Sequence, residues 1–128
     1  MEINEQEFDS VIKLDPSKRY GYFIKRVSDW EAMYGLKLNG EWALSKLDEY
    51  ILFPVWPHIE YAKYCSNAEW ENHVPFKIDL DYFEKNVYDY LSNKNILIDV
   101  FPVSGRSGFV VGLDEFIRDI NRELKHYS

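Results

Sequence analysis

The chain has 128 residues, of which 46% are hydrophobic and 17% aromatic, so it can bury a substantial core and global disorder is excluded. Acidic residues outnumber basic ones by 22 to 15, and the net charge of −7 disfavours binding to nucleic acid or to an anionic membrane. The single cysteine, Cys65, excludes an internal disulfide and is typical of a reducing compartment, and the chain has no apolar run of the roughly 20 residues that a membrane span needs. We therefore expect one soluble, cytoplasmic domain over residues 1–128.

Two amphipathic helices are predicted at the N-terminus. Apolar residues at helical spacing indicate a first helix over residues 5–14, which could be an N-terminal extension of the domain (residues 1–14). Asp15 and Pro16 suit the start of a second helix that runs to Trp30. The polar side of this second helix is mainly cationic, and its positively charged members are Lys18, Arg19, Lys25 and Arg26. Such a face is either solvated, paired with acidic neighbours, or a surface that binds an acidic protein partner.

A β-hairpin is predicted next, because Asn39-Gly40 separates the short runs "MYGLKL" and "EWALSK". In that register Leu38 lies opposite Glu41. Either both faces of the hairpin are covered, or Trp42 lies across the gap that a glycine leaves in the first strand. A turn at residues 48–49 leads into a third strand, "YILFPV", which Pro54 either confines to a sheet edge or ends.

The second half alternates between helices and strands. We predict a short helix over residues 57–65, a brief strand over 75–78, a helix over 81–92 begun by Asp81, a strand over 96–103, a strand over 109–111 and a last helix over 114–125 begun by Asp114. The strand over 96–103 is apolar except for Asp99, which indicates a central position. The fold class is therefore α+β: a mainly antiparallel sheet of about five strands with helices on one face and at the ends, two of them N-terminal and one C-terminal.

The stretch "LFPVWPHIEYA" (residues 52–62) has two interpretations. It is either a packed corner, in which a strand stops and a helix begins, or one wall of a pocket in which Trp56, His58 and Tyr61 turn their polar tips to a ligand. The corner is favoured, because the two prolines account for the end of the strand and the start of the helix.

The loop "SGRSG" (residues 104–108) also has two interpretations. The favoured one is a turn between two antiparallel strands. The functional one is an anion site, in which backbone N–H groups and the Arg106 guanidinium hold a carboxylate or a phosphate. The spacing of its serines does not match a Gly-x-Ser-x-Gly nucleophile turn.

The sequence predicts no metal site, no cofactor and no catalytic residue. His58 and Cys65 are seven residues apart on one predicted helix, about 10 Å along its axis, whereas two zinc ligands must lie within about 4 Å of each other. Cys65 alone fits a small buried hydrophobic residue better than half of a thiol–histidine pair.

Several segments occur in an order that resembles a known family of bacterial proteins. They are "RYGYFIKRV", "YGL" with Trp42 after the turn, "FPVWPHIEYA", Trp70 and Pro75 ahead of "IDLDYF", and "DVFPV…GFVV". The chain resembles domain-of-unknown-function family 2750 from about residue 15 to residue 124. The resemblance implies a bacterial, cytoplasmic, single-domain protein and brings no activity or catalytic residue with it.

The composition and motifs favour a non-catalytic binding or protein-interaction module, whose partner is an acidic protein or a small anionic ligand. The alternative is a small enzyme with a pocket between the Trp56–His58 corner and the residue 104–108 loop, where His58 is the acid/base and Arg106 holds an anionic substrate. We expect a monomer or a weak homodimer, and an exposed strand at residues 50–55 is a candidate for self-association.

Overall fold

A computed structural model describes residues 3–66 and 68–127 of the chain. The helices are α1 (Glu5–Ile12), α2 (Pro16–Trp30), α3 (Ile59–Tyr64), α4 (Leu80–Tyr82), α5 (Tyr88–Asn93) and α6 (Leu113–Leu124). The strands are β1 (Ala32–Leu38), β2 (Glu41–Trp42), β3 (Ser45–Leu47), β4 (Tyr50–Val55), β5 (Val74–Asp79), β6 (Leu97–Val100) and β7 (Phe109–Val111). A π-helical turn (Phe83–Val87) joins α4 to α5, and two short 3₁₀ turns follow α3 and α6 (Ala68–Trp70, Lys125–Tyr127).

The strands form two adjoining sheets. One has the order β2-β1-β5 and the other the order β3-β4-β6-β7. They meet where Tyr34 and Trp56 exchange two backbone hydrogen bonds of 2.8 and 2.9 Å. Strand pairs are antiparallel except for β4 and β6, which run parallel. The α+β class and the mainly antiparallel pairing are confirmed, and the described residues contain seven strands in two sheets where about five in one were expected.

The predicted hairpin forms, but its second strand is shorter than expected. Asn39 and Gly40 both have positive φ, and Leu38 lies opposite Glu41 as the Asn-Gly turn predicts. The ring of Trp42 lies over Gly35, so close that a Cβ at Gly35 would be 3.0 Å from it. The N–H of Ala43 still donates to the carbonyl of Leu36 in β1 at 2.9 Å. The chain then leaves this sheet, and Ser45 pairs with Leu52 of β4 in the other one.

Strand β4 lies between β3 and β6, so of the two alternatives for residues 50–55 the sheet edge is wrong. A strand that is paired on both sides also does not fit the candidate self-association through an exposed strand there. Pro54 is tolerated because β3 pairs only with the stretch from Tyr50 to Leu52, so the missing N–H of Pro54 leaves no gap in that ladder. On its other side Pro54 lies opposite Asp99 of β6. The strand ends one residue later, at Val55, as the proline predicted.

Helix starts differ from the prediction at three of the helices. Helix α3 begins at Ile59 with His58 as its N-cap, two residues after the predicted start at Pro57. The N-cap of α4 is Asp79, whose Oδ1 accepts a hydrogen bond of 2.7 Å from the N–H of Tyr82, and Asp81 instead pairs with Lys85 on the surface. Helix α6 begins after Gly112 and places Asp114 in its first turn, where a carboxylate interacts favourably with the helix dipole. Helix α2 begins after Asp15 with Pro16 in its first turn, as predicted.

The main core lies between the helices and one face of the four-stranded sheet. Side chains alternate along a strand, so Ile98 and Val100 share one face of β6, and both are fully buried in the core cluster. Phe116 of α6 packs against Phe23 of α2 and against Phe83 of the π-helical turn, with ring centroids 5.7 Å apart in both pairs. No helix among the described residues is long and apolar enough to cross a membrane.

Candidate functional site

The candidate site is built around Asp99, a carboxylate on the sheet face that points away from the main core. Asp99 lies between Ile98 and Val100 in β6, and because those two face the core, Asp99 faces the opposite side. Its side chain is only 2% exposed, and its neighbours along the strand are apolar and offer it no polar contact through their side chains. A carboxylate in this position is costly to bury, so its surroundings matter.

The loop of residues 104–108 covers Asp99. The N–H of Gly108 donates a hydrogen bond of 2.7 Å to Oδ1 of Asp99. A Cβ at Gly108 would lie 2.1 Å from the carbonyl oxygen of Val100, a distance that no side chain tolerates. Glycine is therefore required for the loop to approach the strand this closely. At the other end of the loop, the N–H of Arg106 donates to the carbonyl of Val103 at 2.8 Å, which closes a tight turn.

Two buried side chains, Arg19 and Trp56, fix the backbone between β6 and this loop. Phe101 has a φ of 60°, an unusual conformation for an aromatic residue, and its carbonyl accepts a hydrogen bond of 3.0 Å from Nε of Arg19. The guanidinium of Arg19 also donates to the carbonyl of Leu14. The indole N–H of Trp56 donates to the carbonyl of Pro102 at 2.9 Å. The loop is thus presented from a rigid base.

A cavity of about 670 Å³ lies between this loop and the β3–β4 hairpin, and we call it the loop pocket. Its polar lining consists of Asp99, Arg106, Ser107, Ser45 and Lys46. Asp99 is buried, whereas Arg106 and Lys46 are exposed, so the carboxylate lies deep and the two cations lie toward solvent. Leu44 and Ile51 add apolar surface. The volume is in the range typical of sites for small molecules.

The electrostatics of the pocket are dominated by Asp99. Burial raises the pKa of this carboxyl group to about 6, and the hydrogen bond from Gly108 and the positive charge of Arg19 oppose the rise without cancelling it. Both opposing groups favour the ionised form, so desolvation is the larger effect. A displaced pKa in a cavity is typical of functional sites, although structural carboxylates also show it.

Residues 20–120 match the family described as "Protein of unknown function (DUF2750)", which is most of the chain. The chain belongs to the DUF2750 family. The residues of the loop pocket lie within the matched segment, while α1 precedes it. Curated proteins contain no match to this DUF2750 chain.

The structure places Trp56 and Tyr61 of the DUF2750 chain in the interior, where both are fully buried. The ring of Trp56 contacts Trp70, with centroids 6.0 Å apart. The hydroxyl of Tyr61 forms a hydrogen bond of 2.9 Å with that of Tyr22, which in turn donates to Glu7 at 2.6 Å. The polar tips that were considered as ligand contacts therefore meet protein groups.

His58 lies at the start of α3 as its N-cap. Its Nδ1 accepts a hydrogen bond of 3.2 Å from the N–H of Glu60, and its ring contacts Trp30 at a centroid distance of 5.4 Å. Arg106 lines the loop pocket and also a second cavity of about 520 Å³ on the α1–α2 side of the loop. Among the described residues, neither cavity is lined by Trp56 or His58, so the structure does not bring the four predicted residues together.

The predicted cationic face of α2 is interrupted. Arg19 is 4% exposed and is used to bind backbone carbonyls, so it is not available to a partner, contrary to the prediction. Arg26 pairs with Glu7 at 3.0 Å and contacts the ring of Tyr22. Lys18 and Lys25 remain exposed. The sequence could not distinguish the buried, the paired and the exposed cations, because a periodicity argument assigns every charged residue to the polar side of a helix.

Thiol and metal chemistry find little support in the part of the chain that the structure describes. Cys65 is buried, and its burial raises the pKa of the thiol to about 11, which is unfavourable for a nucleophile at neutral pH. Among residues 3–66 and 68–127, no group of three or more His, Cys, Asp or Glu side chains could hold a metal ion.

Asp99 and Lys46 are the residues that the sequence interpretation missed. Asp99 carried a usable signal, since a single acid inside an otherwise apolar central strand must be either buried or exposed through a gap. Lys46 carried none, because it reaches the site only through the crossing of the chain from one sheet to the other.

Proposed function

We propose that this DUF2750 protein is a non-catalytic binding module that takes a small anionic ligand in the loop pocket. One observation supports this most: Arg106 of the loop and Lys46 of β3 line one cavity of ligand size, beside a loop whose shape is fixed by buried contacts. Arginine and lysine side chains are the usual protein partners of carboxylates and phosphates.

A small ligand is favoured over an acidic protein partner. Docking of a protein on α2 would depend on its cationic face, from which Arg19 is withdrawn and in which Arg26 already has an acidic partner. The remaining exposed lysines are separated along the helix, and isolated surface charges contribute little to affinity. The loop pocket instead concentrates its charges around a concave surface.

The alternative of a small enzyme loses its main support. That hypothesis needed His58 as acid/base and Arg106 as anion anchor in one cavity, whereas the described lining of both cavities at Arg106 does not include His58. The single cysteine is buried, and a reducing compartment such as the cytoplasm suits its unpaired thiol. We keep the expectation of a monomer or a weak homodimer as part of the proposal.

The proposal is tested by titrating ¹⁵N-labelled protein with inorganic phosphate and with succinate at constant ionic strength. We expect saturable shifts of the amide signals of residues 104–108, and we expect Arg106→Ala to abolish them. Lys25→Ala removes an equal charge from an exposed site on α2 and should leave the titration unchanged. Shifts that are absent, or that persist in Arg106→Ala, would refute the anion site.

A further inference from the structure

Asp99 is a poor neighbour for a ligand that is only an anion. Within residues 3–66 and 68–127 the carboxylate accepts one hydrogen bond, from Gly108, although an ionised carboxylate has two oxygens and about four acceptor positions. The nearest buried cation, Arg19, directs its N–H groups to the carbonyls of Phe101 and Leu14. Asp99 therefore lines the loop pocket with acceptor capacity that the described residues do not use.

An anion held by Arg106 and Lys46 would meet this carboxylate inside one cavity, and like charges in a poorly solvated site repel each other. A ligand that also carries a positive group near Asp99 would replace this repulsion with an attraction. A buried carboxylate that gains an ammonium partner obtains both a charge-assisted hydrogen bond and relief from its desolvation.

We propose that the ligand of the loop pocket is zwitterionic: an ammonium or amidinium group binds Asp99 while a carboxylate or phosphate group binds Arg106 and Lys46. This inference rests on the function proposed above and specifies the chemistry of its ligand. Leu44 and Ile51 line the same cavity, so a short apolar spacer between the two charged ends suits the site. Free amino acids, ω-amino acids and short amino-terminated phosphates belong to this class.

The cavity itself supports a bifunctional ligand. At about 670 Å³ it is larger than a lone phosphate or acetate needs, and its charges are segregated, with the carboxylate buried and the cations exposed. A molecule that spans from the buried end to the exposed end can pair with the carboxylate and with the cations at the same time. Complementarity of this kind rejects ligands that lack one of the two charges, because a buried polar group is then left unpaired.

The test uses matched probes that differ by one charged group. The full-length protein is titrated with glycine, β-alanine, 4-aminobutyrate and 6-aminohexanoate, and in parallel with acetate, propionate, butyrate and hexanoate, while butylamine serves as the cation without an anion. We expect at least one amino acid to bind about tenfold tighter than the matched carboxylate, which is the size of effect that a single charge-assisted hydrogen bond supplies.

Proton linkage gives a second readout whose sign separates the two kinds of ligand. Near pH 6 the free protein holds Asp99 partly protonated. A zwitterion whose ammonium contacts the carboxylate lowers the pKa of Asp99, so its binding releases a proton. A pure anion raises the pKa of Asp99, so its binding takes up a proton. Calorimetry in two buffers of different ionisation enthalpy measures that sign.

Asp99→Asn completes the test, because asparagine retains an acceptor for Gly108 and removes only the charge. We expect the variant to lose about tenfold in affinity for the amino acid and to bind the matched carboxylate at least as tightly as the native protein does. Equal affinities for amino acids and carboxylates, with no effect of Asp99→Asn, would overturn this inference and leave the anion site standing. Failure of every carboxylate and amino acid to bind, or binding of butylamine alone, would overturn both proposals.

Discussion

Replacing Asp99 with asparagine should make the protein more stable at neutral pH. The side chain is 2% exposed and lies in a central strand, where an ionised carboxylate has lost most of its hydration. Asparagine has nearly the same shape and can still accept the hydrogen bond from the N–H of Gly108. The substitution therefore removes a desolvated charge without opening a cavity.

The size and direction of the effect follow from the pKa of Asp99. In the folded protein it is about 6, against an ordinary value of 3.8. The folded state thus binds more protons than the unfolded state between these values, so its stability falls as the pH rises through this window. The difference of about two in pKa corresponds to about 3 kcal/mol, at about 1.4 kcal/mol for each unit. The penalty is absent below about pH 4 and complete above about pH 6.

Urea denaturation of the native protein and of Asp99→Asn at several pH values between 4 and 8 measures this difference. We expect the two proteins to be nearly equal at pH 4 and the variant to gain up to about 3 kcal/mol by pH 7. Asp29→Asn, at an exposed position of α2, makes the same chemical change and should show no such pH-dependent gain. A variant that is less stable than the native protein at pH 7 would refute the reasoning.

Three further substitutions test the framework of the site, each by chemical denaturation. Gly108→Ala should destabilise the protein by about 1–3 kcal/mol, because its Cβ would overlap a carbonyl of β6, and an unchanged midpoint would contradict this close approach. Arg19→Met should cost about 2–5 kcal/mol, because it leaves buried carbonyls unpaired, whereas Lys25→Ala should change the stability by less than about 0.5 kcal/mol; equal effects would show that Arg19 is an ordinary surface cation. Tyr61→Phe should cost about 1 kcal/mol by removing the hydrogen bond to Tyr22, and a neutral result would place that hydroxyl in contact with water.

Local signals predicted the elements of the fold better than its sheet arrangement. The Asn39-Gly40 turn, the start of α2 at Pro16 and the buried strand around Asp99 each depend on neighbours within a few residues, and the structure has all three. The division into two sheets depends on the pairing of Ser45 with Leu52, and the junction between the sheets depends on the pairing of Tyr34 with Trp56. Strand partners are set by tertiary packing that a single sequence does not display.

The candidate site was predictable only in part for a related reason. Arg106 was selected because it lies in a glycine-bearing loop, and such loops do place charged groups at surfaces. Arg19 was misassigned, since its burial results from a distant carbonyl at Phe101. The contribution of Lys46 depends on the same chain crossing that separates the sheets. Residues brought together by long-range contacts leave little trace in local patterns.

The end of β6 combines two unfavourable features that a purely structural segment could avoid. Phe101 holds a positive φ, and Asp99 is buried with a carboxylate that only Gly108 among the described residues contacts by a hydrogen bond. Each feature costs on the order of 1–3 kcal/mol, within a total stability of roughly 5–15 kcal/mol for a domain. A neutral side chain at position 99 could pin the loop equally well without the desolvated charge.

Two roles for the charge of Asp99 therefore predict the same gain in stability for Asp99→Asn but different effects on ligand binding. If the carboxylate only pins the loop, Asp99→Asn is more stable and binds every ligand as the native protein does. If the charge recognises a ligand, the same variant is more stable and loses the ligand's positive group as a partner. A buried charge that lowers the stability of the protein and raises its affinity for a ligand is typical of a functional site.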